Sequence, residues 1–233
     1  MSRGILKREL RAVAPASMAM HAKRIELKGR IVSLLPLNPE AHGDALWGGV
    51  LFHDYLWDYL GQGPFSKRRD FEAHLNWMAA SEDPFFLVIL DNTSKLAVGY
   101  ASYLRIELTH RVIEVGNILY TPQFQKTAGA TEAMYLMARY AFEELGYRRY
   151  EWKCDSQNTP SRRAALRLGF QFEGIFRQHM IVKGKNRDTA WFSTIDKEWP
   201  VRKKGFESWL APANFDEQGR QRVPLSSLNL SGA

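Results

Sequence analysis

Residues 112–146, VIEVGNILYTPQFQKTAGATEAMYLMARYAFEELG, constrain the fold more than any other stretch. Val112 to Tyr120 is an apolar run rich in β-branched residues and reads as a strand. Pro122 and a polar turn follow, and a helical pattern starts near Ala128. Ala130, Ala133, Met134, Met137, Ala138, Ala141, Phe142 and Leu145 recur at spacings of three and four, which makes one apolar stripe. Glu132, Arg139, Glu143 and Glu144 fall on the other side, and Gly146 stands where a helix commonly stops.

The turn from Gln125 to Ala130 carries the chemistry of this stretch. Small residues at a helix start let a ligand approach the backbone closely. The free N–H groups and the positive end of the helix dipole there favour an anion such as a phosphate. The turn lacks GxxxxGK[ST] and GxGxxG, so it is neither a Walker loop nor a Rossmann fingerprint.

The flanking chain alternates strands and helices. Strands are expected at Gly29–Leu37, Phe85–Asp91, Leu96–Glu107, Tyr150–Cys154, Gln171–Val182 and Asp188–Asp196. The run FFLVILD at 85–91 is nearly all apolar and so should be buried on both faces. Helices are expected with Asn38 as cap and Pro39 at the first position, over Lys67–Ala80 with Ser66 as cap, and with Thr159 as cap and Pro160 at the first position as far as Gly169. A helix over Glu198–Leu210 is limited by Pro200 and Gly205. Residues 1–25 read as a flexible basic arm, 26–210 as one domain, and 211–233 as a mobile polar tail.

At 233 residues the chain can bury one sizeable core. No apolar run is long enough to span a membrane, so no membrane partner is expected and the cytoplasm is the expected location. The single cysteine, Cys154, excludes an intrachain disulfide and reads as a small buried hydrophobe. The net charge of +7 suits an anionic cofactor, an acidic partner or nucleic acid, and does not separate them. His21, His42, His53, His74, His110 and His179 show no metal-ligand spacing, so no metal is expected, and no Gly-x-Ser-x-Gly elbow occurs.

The stretch 112–146 resembles motif A of the GNAT N-acetyltransferases, [QR]-x-x-G-x-[GA] after a strand. Gln125 and Ala130 match, and Ala128 stands where the family usually has Gly. Thr131-Glu132-Ala133 also looks like the RimJ/RimL-type branch, which acetylates protein N-termini and related amines. Asn158-x-x-Ser161, followed by Leu168-Gly169-Phe170, resembles motif B. Together the two motifs and their flanking strands cover residues 30–196. The resemblance implies an α/β (α+β) GNAT fold, with a mixed, mostly antiparallel twisted sheet flanked by helices. It implies acetyl-CoA held by Ile118, Leu119, Tyr120, Gln125, Lys126, Thr127, Ala128, Gly129, Ala130, Thr131, Asn158 and Ser161. It also places Trp57, Tyr59 and Phe65 near the usual acceptor wall, although these aromatics suit a core equally well. Many relatives carry a tyrosine four residues before the glycine of motif B, where it protonates the leaving thiolate. Here that residue is Ala165.

Acetyl transfer to an amine needs a neutral amine, a polarised carbonyl and a thiolate that can leave. An α-amine, with pKa about 7.7–8.0, needs less help from a base than a lysine at about 10.4. Glu114 on the central strand is the first candidate base, directly or through water, with Glu151 on the neighbouring strand as runner-up. Ser161 is the nearest candidate acid, or else simply a helix-start residue. The expected function is acetylation of a primary amine, on a protein N-terminus or a small molecule, by a monomer or homodimer. The competing expectation, supported by Ala128, Ala165 and the positive charge, is a non-catalytic acyl-CoA-binding or RNA-binding module.

Overall fold

A computed structural model describes residues 18–23 and 25–230. Eight strands form one sheet: β1 (Leu27–Lys28), β2 (Val32–Pro36), β3 (Phe85–Asp91), β4 (Ala97–Glu107), β5 (Val112–Tyr120), β6 (Arg149–Asp155), β7 (Gln171–Val182) and β8 (Lys185–Ile195). Their spatial order is β1-β2-β3-β4-β5-β6-β8-β7. Every neighbouring pair is antiparallel except β5–β6. The helices are α1 (Pro39–Val50), α2 (Arg68–Ala80), α3 (Ala128–Arg139), α4 (Thr159–Arg167), α5 (Trp199–Leu210) and α6 (Leu225–Leu230). The mixed, mostly antiparallel sheet flanked by helices is the architecture that the sequence implies.

Two apolar cores lie on opposite faces of the sheet, and β3 serves both. Phe85, Leu87 and Ile89 enter the larger core, while Phe86 and Val88 enter the smaller. Side chains alternate across a strand, so an unbroken apolar run is what burial on both faces demands. The larger core joins Ile113 and Val115 of β5 to Met134, Met137 and Ala138 of α3, and to Trp199 and Phe206 of α5. The smaller one packs Leu46 of α1 and Phe71, Leu75 and Met78 of α2 against Tyr100 of β4.

Helix starts follow the caps with small shifts. Asn38 Oδ1 accepts from the amides of Glu40 and Ala41, as its place before Pro39 suggests. Asn158, one residue earlier than expected, caps α4. Lys67 rather than Ser66 occupies the cap of α2 and makes no side-chain cap bond. Pro200 lies in the first turn of α5, where a missing N–H costs nothing, so the helix runs its full length.

Three expectations are corrected. Glu132 does not face solvent: it is 5% exposed, and its carboxylate accepts from the amides of Arg30, Ile31 and Val32 at 3.0, 2.6 and 2.8 Å. It ties α3 to the start of β2, and a buried carboxylate with three N–H partners is satisfied there. Residues 211–230 are packed rather than loose. Leu225 is fully buried, Asn214 Nδ2 donates to the carbonyls of Trp209 and Val223, and Asn229 Nδ2 donates to Arg167 O. Of the arm expected over 1–25, residues 1–17 and 24 lie outside the described residues. The remainder is docked, with Ala19 buried and Met20 N donating to Leu145 O at 3.0 Å.

Candidate active site

The parallel pair β5–β6 is in register from Val112–Arg149 to Val115–Trp152 and no further. Beyond it, β5 continues beside β4 to Tyr120, and β6 continues beside β8 to Asp155. The inner edges of both strand ends are therefore left without a strand partner. A bulge turns β5 at this point. Between the pairs Ser102–Gly116 and Tyr100–Leu119, β5 uses one residue more than β4. Asn117 takes the left-handed conformation there, with φ +49°. Its Nδ2 donates to Ser102 Oγ at 2.9 Å, and that hydroxyl donates to Gly116 O at 3.2 Å.

Chain connectivity brings two helix N-termini to this parting. The end of β5 leads through residues 121–127 into α3, and the end of β6 leads through Asn158 into α4. Both present first-turn amides and the positive dipole end to the gap. At α3, Thr127 Oγ1 donates to Phe124 O at 2.8 Å and accepts from Ala130 N at 3.1 Å. Gln125 N is bound to Thr121 O, and Gln125 Nε2 donates to Tyr120 O. Thr131 is buried, and its Oγ1 accepts from Arg167 Nη1 at 3.0 Å. Of the expected cofactor residues, Gln125 and Thr127 thus spend their side chains on the turn itself, and Thr131 spends its hydroxyl on Arg167 of α4. The amides of Ala128 and Gly129 remain at the helix start for a ligand. Gly129 itself is packed: a Cβ there would stand 2.8 Å from the Phe124 ring and 3.1 Å from Val32 Cγ1. Tyr120 OH donates to Ala130 O at 3.2 Å and so braces strand against helix, while the Leu119 side chain points into the smaller core.

Asn158 Oδ1 accepts from Ser161 N at 3.0 Å and so caps α4. Ser161 Oγ accepts from Trp152 Nε1 at 3.0 Å. The buried Cys154 thiol lies beside the same hydroxyl, and burial raises its pKa. Ala165 is wholly buried, so the slot at the motif-B tyrosine position is filled by packing.

A charged cluster fills the sheet face opposite α3. Lys153, its side chain 3% exposed, puts Nζ 2.9 Å from Glu114 Oε2 and 2.6 Å from Glu151 Oε2. The same nitrogen sits 3.8 Å from the Trp191 ring centre. Arg105 Nη1 donates to Glu114 Oε2 at 3.0 Å, and Arg149 Nε donates to Glu151 Oε1 at 2.6 Å. Arg149 also forks onto Glu173 at 2.7 and 2.5 Å. Burial raises the pKa of Glu114, and the charges of Lys153 and Arg105 oppose that shift. Both expected carboxylates therefore lie side by side, already paired with cations.

Above them the β7–β8 hairpin bears His179, whose Nδ1 lies 2.9 Å from Thr189 Oγ1 and whose ring abuts Phe176 and Trp191. Desolvation lowers its pKa, and Arg105, Arg187 and Lys153 add to the effect. The hairpin tip reaches across the cleft, where Lys183 Nζ donates to Trp57 O at 2.7 Å. From the aromatic loop, the exposed Tyr59 donates its OH to Gln157 O at 3.4 Å, beside the start of α4. Trp57 does not line the cleft. It is 2% exposed and packs against Phe65, Phe71 and His74. Phe65 is half-buried in the same stack. Sequence reasoning missed Lys153, Arg105, His179, Arg187 and Trp191. The alternation of β6 placed Glu151 and Lys153 on one face, which was the available signal.

This sheet, parted at one parallel seam between two helix starts, is that of a GNAT acetyltransferase. The profile of the acetyltransferase (GNAT) domain matches residues 35–171, more than half of the chain, and the chain belongs to that family. A GCN5-related N-acetyltransferase from Brucella melitensis is 43% identical and superposes with a TM-score of 0.91, over 93% of this chain and 99% of that one. A GNAT-family structure from Chromobacterium violaceum is 39% identical, with a TM-score of 0.78 over 85% and 100% of the two chains. The uncharacterized N-acetyltransferase YnaD of Bacillus subtilis is 28% identical over 142 residues, 60% of this chain and 81% of YnaD. The protein is an N-acetyltransferase.

Proposed function

We propose that the enzyme moves an acetyl group from acetyl-CoA to a primary amine, on a protein N-terminus or a small molecule, by direct attack. The observation that carries this reading is the parting of β5 and β6 after Val115 and Trp152, between two helix N-termini. Unpaired strand edges suit the amide groups of a pantetheine arm, and first-turn amides suit a pyrophosphate. The donor set therefore fits acetyl-CoA, which supplies the acyl group as a thioester.

In this reading Ala128 and Gly129 hold the pyrophosphate through their amides, with Gln125, Lys126, Thr127, Ala130 and Thr131 shaping the turn. Ile118 to Tyr120 and Asn158 flank the arm. The strand amides beyond the Asn117 bulge polarise the reacting carbonyl. The amine enters from the face that carries Glu114, past Tyr59. Glu114 is the base, acting through water, because both Lys153 and Arg105 already bind its carboxylate. Burial poises it in the useful direction, toward a higher pKa. The family's RimJ/RimL-like branch favours an α-amine, which needs only a weak base. Ser161 is the hydroxyl nearest the departing thiolate.

The test is thiol release from acetyl-CoA with a panel of amines, beside CoA binding by calorimetry. Glu114→Gln should lower kcat roughly 10²–10⁴-fold with CoA affinity unchanged. Near wild-type turnover would remove Glu114 from the mechanism, and absence of CoA binding in the wild type would refute the reading as a whole.

A further inference from the structure

The acceptor face contains donors that the internal hydrogen bonding leaves unused. Arg187 and Trp191 lie on β8 at positions that share one face of the strand. Arg187 Nε and Trp191 Nε1 are both buried, and neither has a hydrogen-bond partner among the described residues. Each such donor carries an uncompensated desolvation cost unless a ligand meets it. Arg187 is only half-exposed, yet no carboxylate among the described residues comes within ion-pair distance. Asp155 and Glu114 are close enough for their charges to act on it. Glu114, however, is held by Lys153 and Arg105, and Glu151 by Lys153 and Arg149.

The surroundings are cationic. Arg105, Arg187 and Lys153 all act on His179, whose Nδ1 lies against Thr189, between Arg187 and Trp191 on β8. Arg187 also acts on Cys154, at the end of β6 where the strands part. The free guanidinium is therefore near the reacting end of the seam, on the same face as Glu114. A planar guanidinium fork matches a carboxylate, and the indole N–H supplies a further donor.

We infer that Arg187 and Trp191 form a carboxylate subsite, so that the acceptors are primary amines bearing a carboxylate near the amino group. This inference rests on the reading of the enzyme as an amine acetyltransferase. The carboxylate can come from a free amino acid or from an acidic residue near a peptide N-terminus, and the chemistry recognised is the same.

Binding of acetylated products to the CoA complex tests the subsite without requiring turnover. One arm compares N-acetylglycine with N-acetylglycinamide. The other compares acetyl-Asp-Ala-Ala-amide with acetyl-Asn-Ala-Ala-amide. In at least one arm the carboxylate should bind about tenfold or more tighter than its neutral partner, and that arm identifies the source. Arg187→Gln should remove the preference while leaving CoA affinity and the weak binding of the neutral compound unchanged. Trp191→Phe, which keeps the ring under Lys153, should reduce the preference by a smaller factor. Equal binding of charged and neutral compounds in both arms, or a preference that survives Arg187→Gln, would overturn the inference. Loss of turnover with the binding preference intact would count against the catalytic reading alone.

Discussion

Removing the Lys153 ammonium should expose how the charged cluster is held together. In Lys153→Met the methylenes over Trp191 are largely kept, but the cation between Glu114 and Glu151 is gone. Those carboxylates are 5% and 8% exposed and sit opposite each other in the β5–β6 register. Both oxygens touch the same nitrogen, so they are no more than about 5.5 Å apart. At an effective dielectric of about 20, two charges at that separation repel by about 3 kcal/mol. Breaking a buried ion pair usually costs about 3–5 kcal/mol. Arg105 and Arg149 still give each carboxylate one partner, which places the expected loss at about 3 kcal/mol. Urea denaturation at pH 7.5 reads it directly. The sign of the pH dependence is also fixed. Without the ammonium, the pair takes up a proton more readily when folded than when unfolded, so its folded pKa is raised. The deficit should be full above that folded value and should shrink as pH falls through it. Glu151→Gln in the same background should recover much of the stability at neutral pH. A loss below about 1 kcal/mol at pH 7.5, or one that grows on acidification, would refute the argument.

Two further outcomes follow from other buried groups. Burial between Phe65, Trp57 and Trp77 pushes the His74 pKa down to about 4, below its usual 6.5. The unfolded chain then binds the proton more readily, so stability present above pH 6.5 is lost as pH falls toward 4. His74→Phe should flatten the denaturation midpoint across that window, and an unchanged slope would show that other groups titrate there. Ser161→Ala leaves the buried Trp152 indole N–H without its acceptor and should cost about 1–2 kcal/mol in chemical denaturation. If the hydroxyl also protonates the thiolate, turnover per folded molecule falls modestly and falls further at high pH. A pH profile matching wild type would leave Ser161 a structural residue.

The order of elements was legible because period and caps agree along most of the chain. FFLVILD could only be a strand buried on both faces, and the stripe from Ala130 to Leu145 could only be a helix. The helix-start turn was legible from its small residues. The charged cluster was less so. Glu114 and Glu151 stood out as carboxylates, but their cations come from two strands, Arg105 from β4 and Lys153 and Arg149 from β6, and sequence spacing does not show that residues of separate strands meet. Glu132 fits the polar side of a helical wheel, and only the passage of β2 beside α3 makes that side interior. Trp57 was ambiguous because an aromatic residue suits a pocket wall and a core equally, and packing by Phe71 decides for the core. Residues 215–224 lack periodicity, yet Asn214 and the buried Leu225 anchor the segment through contacts that no local pattern reveals.

The seam at β5–β6 also bears on the order in which the molecule assembles. The strands from β1 to β5 pair with their neighbours in sequence, and β7 pairs with β8 as a hairpin. Only the β5–β6 junction joins the two groups side by side in parallel, and the whole of α3 lies between its strands. Closing that loop costs more chain entropy than forming the β7–β8 hairpin, so the seam is expected to close after that hairpin. Contacts formed after the rate-limiting step are felt in the unfolding rate rather than the folding rate. The ammonium of Lys153 spans the seam, so Lys153→Met is expected to speed unfolding more than it slows refolding, a change that stopped-flow denaturation would read.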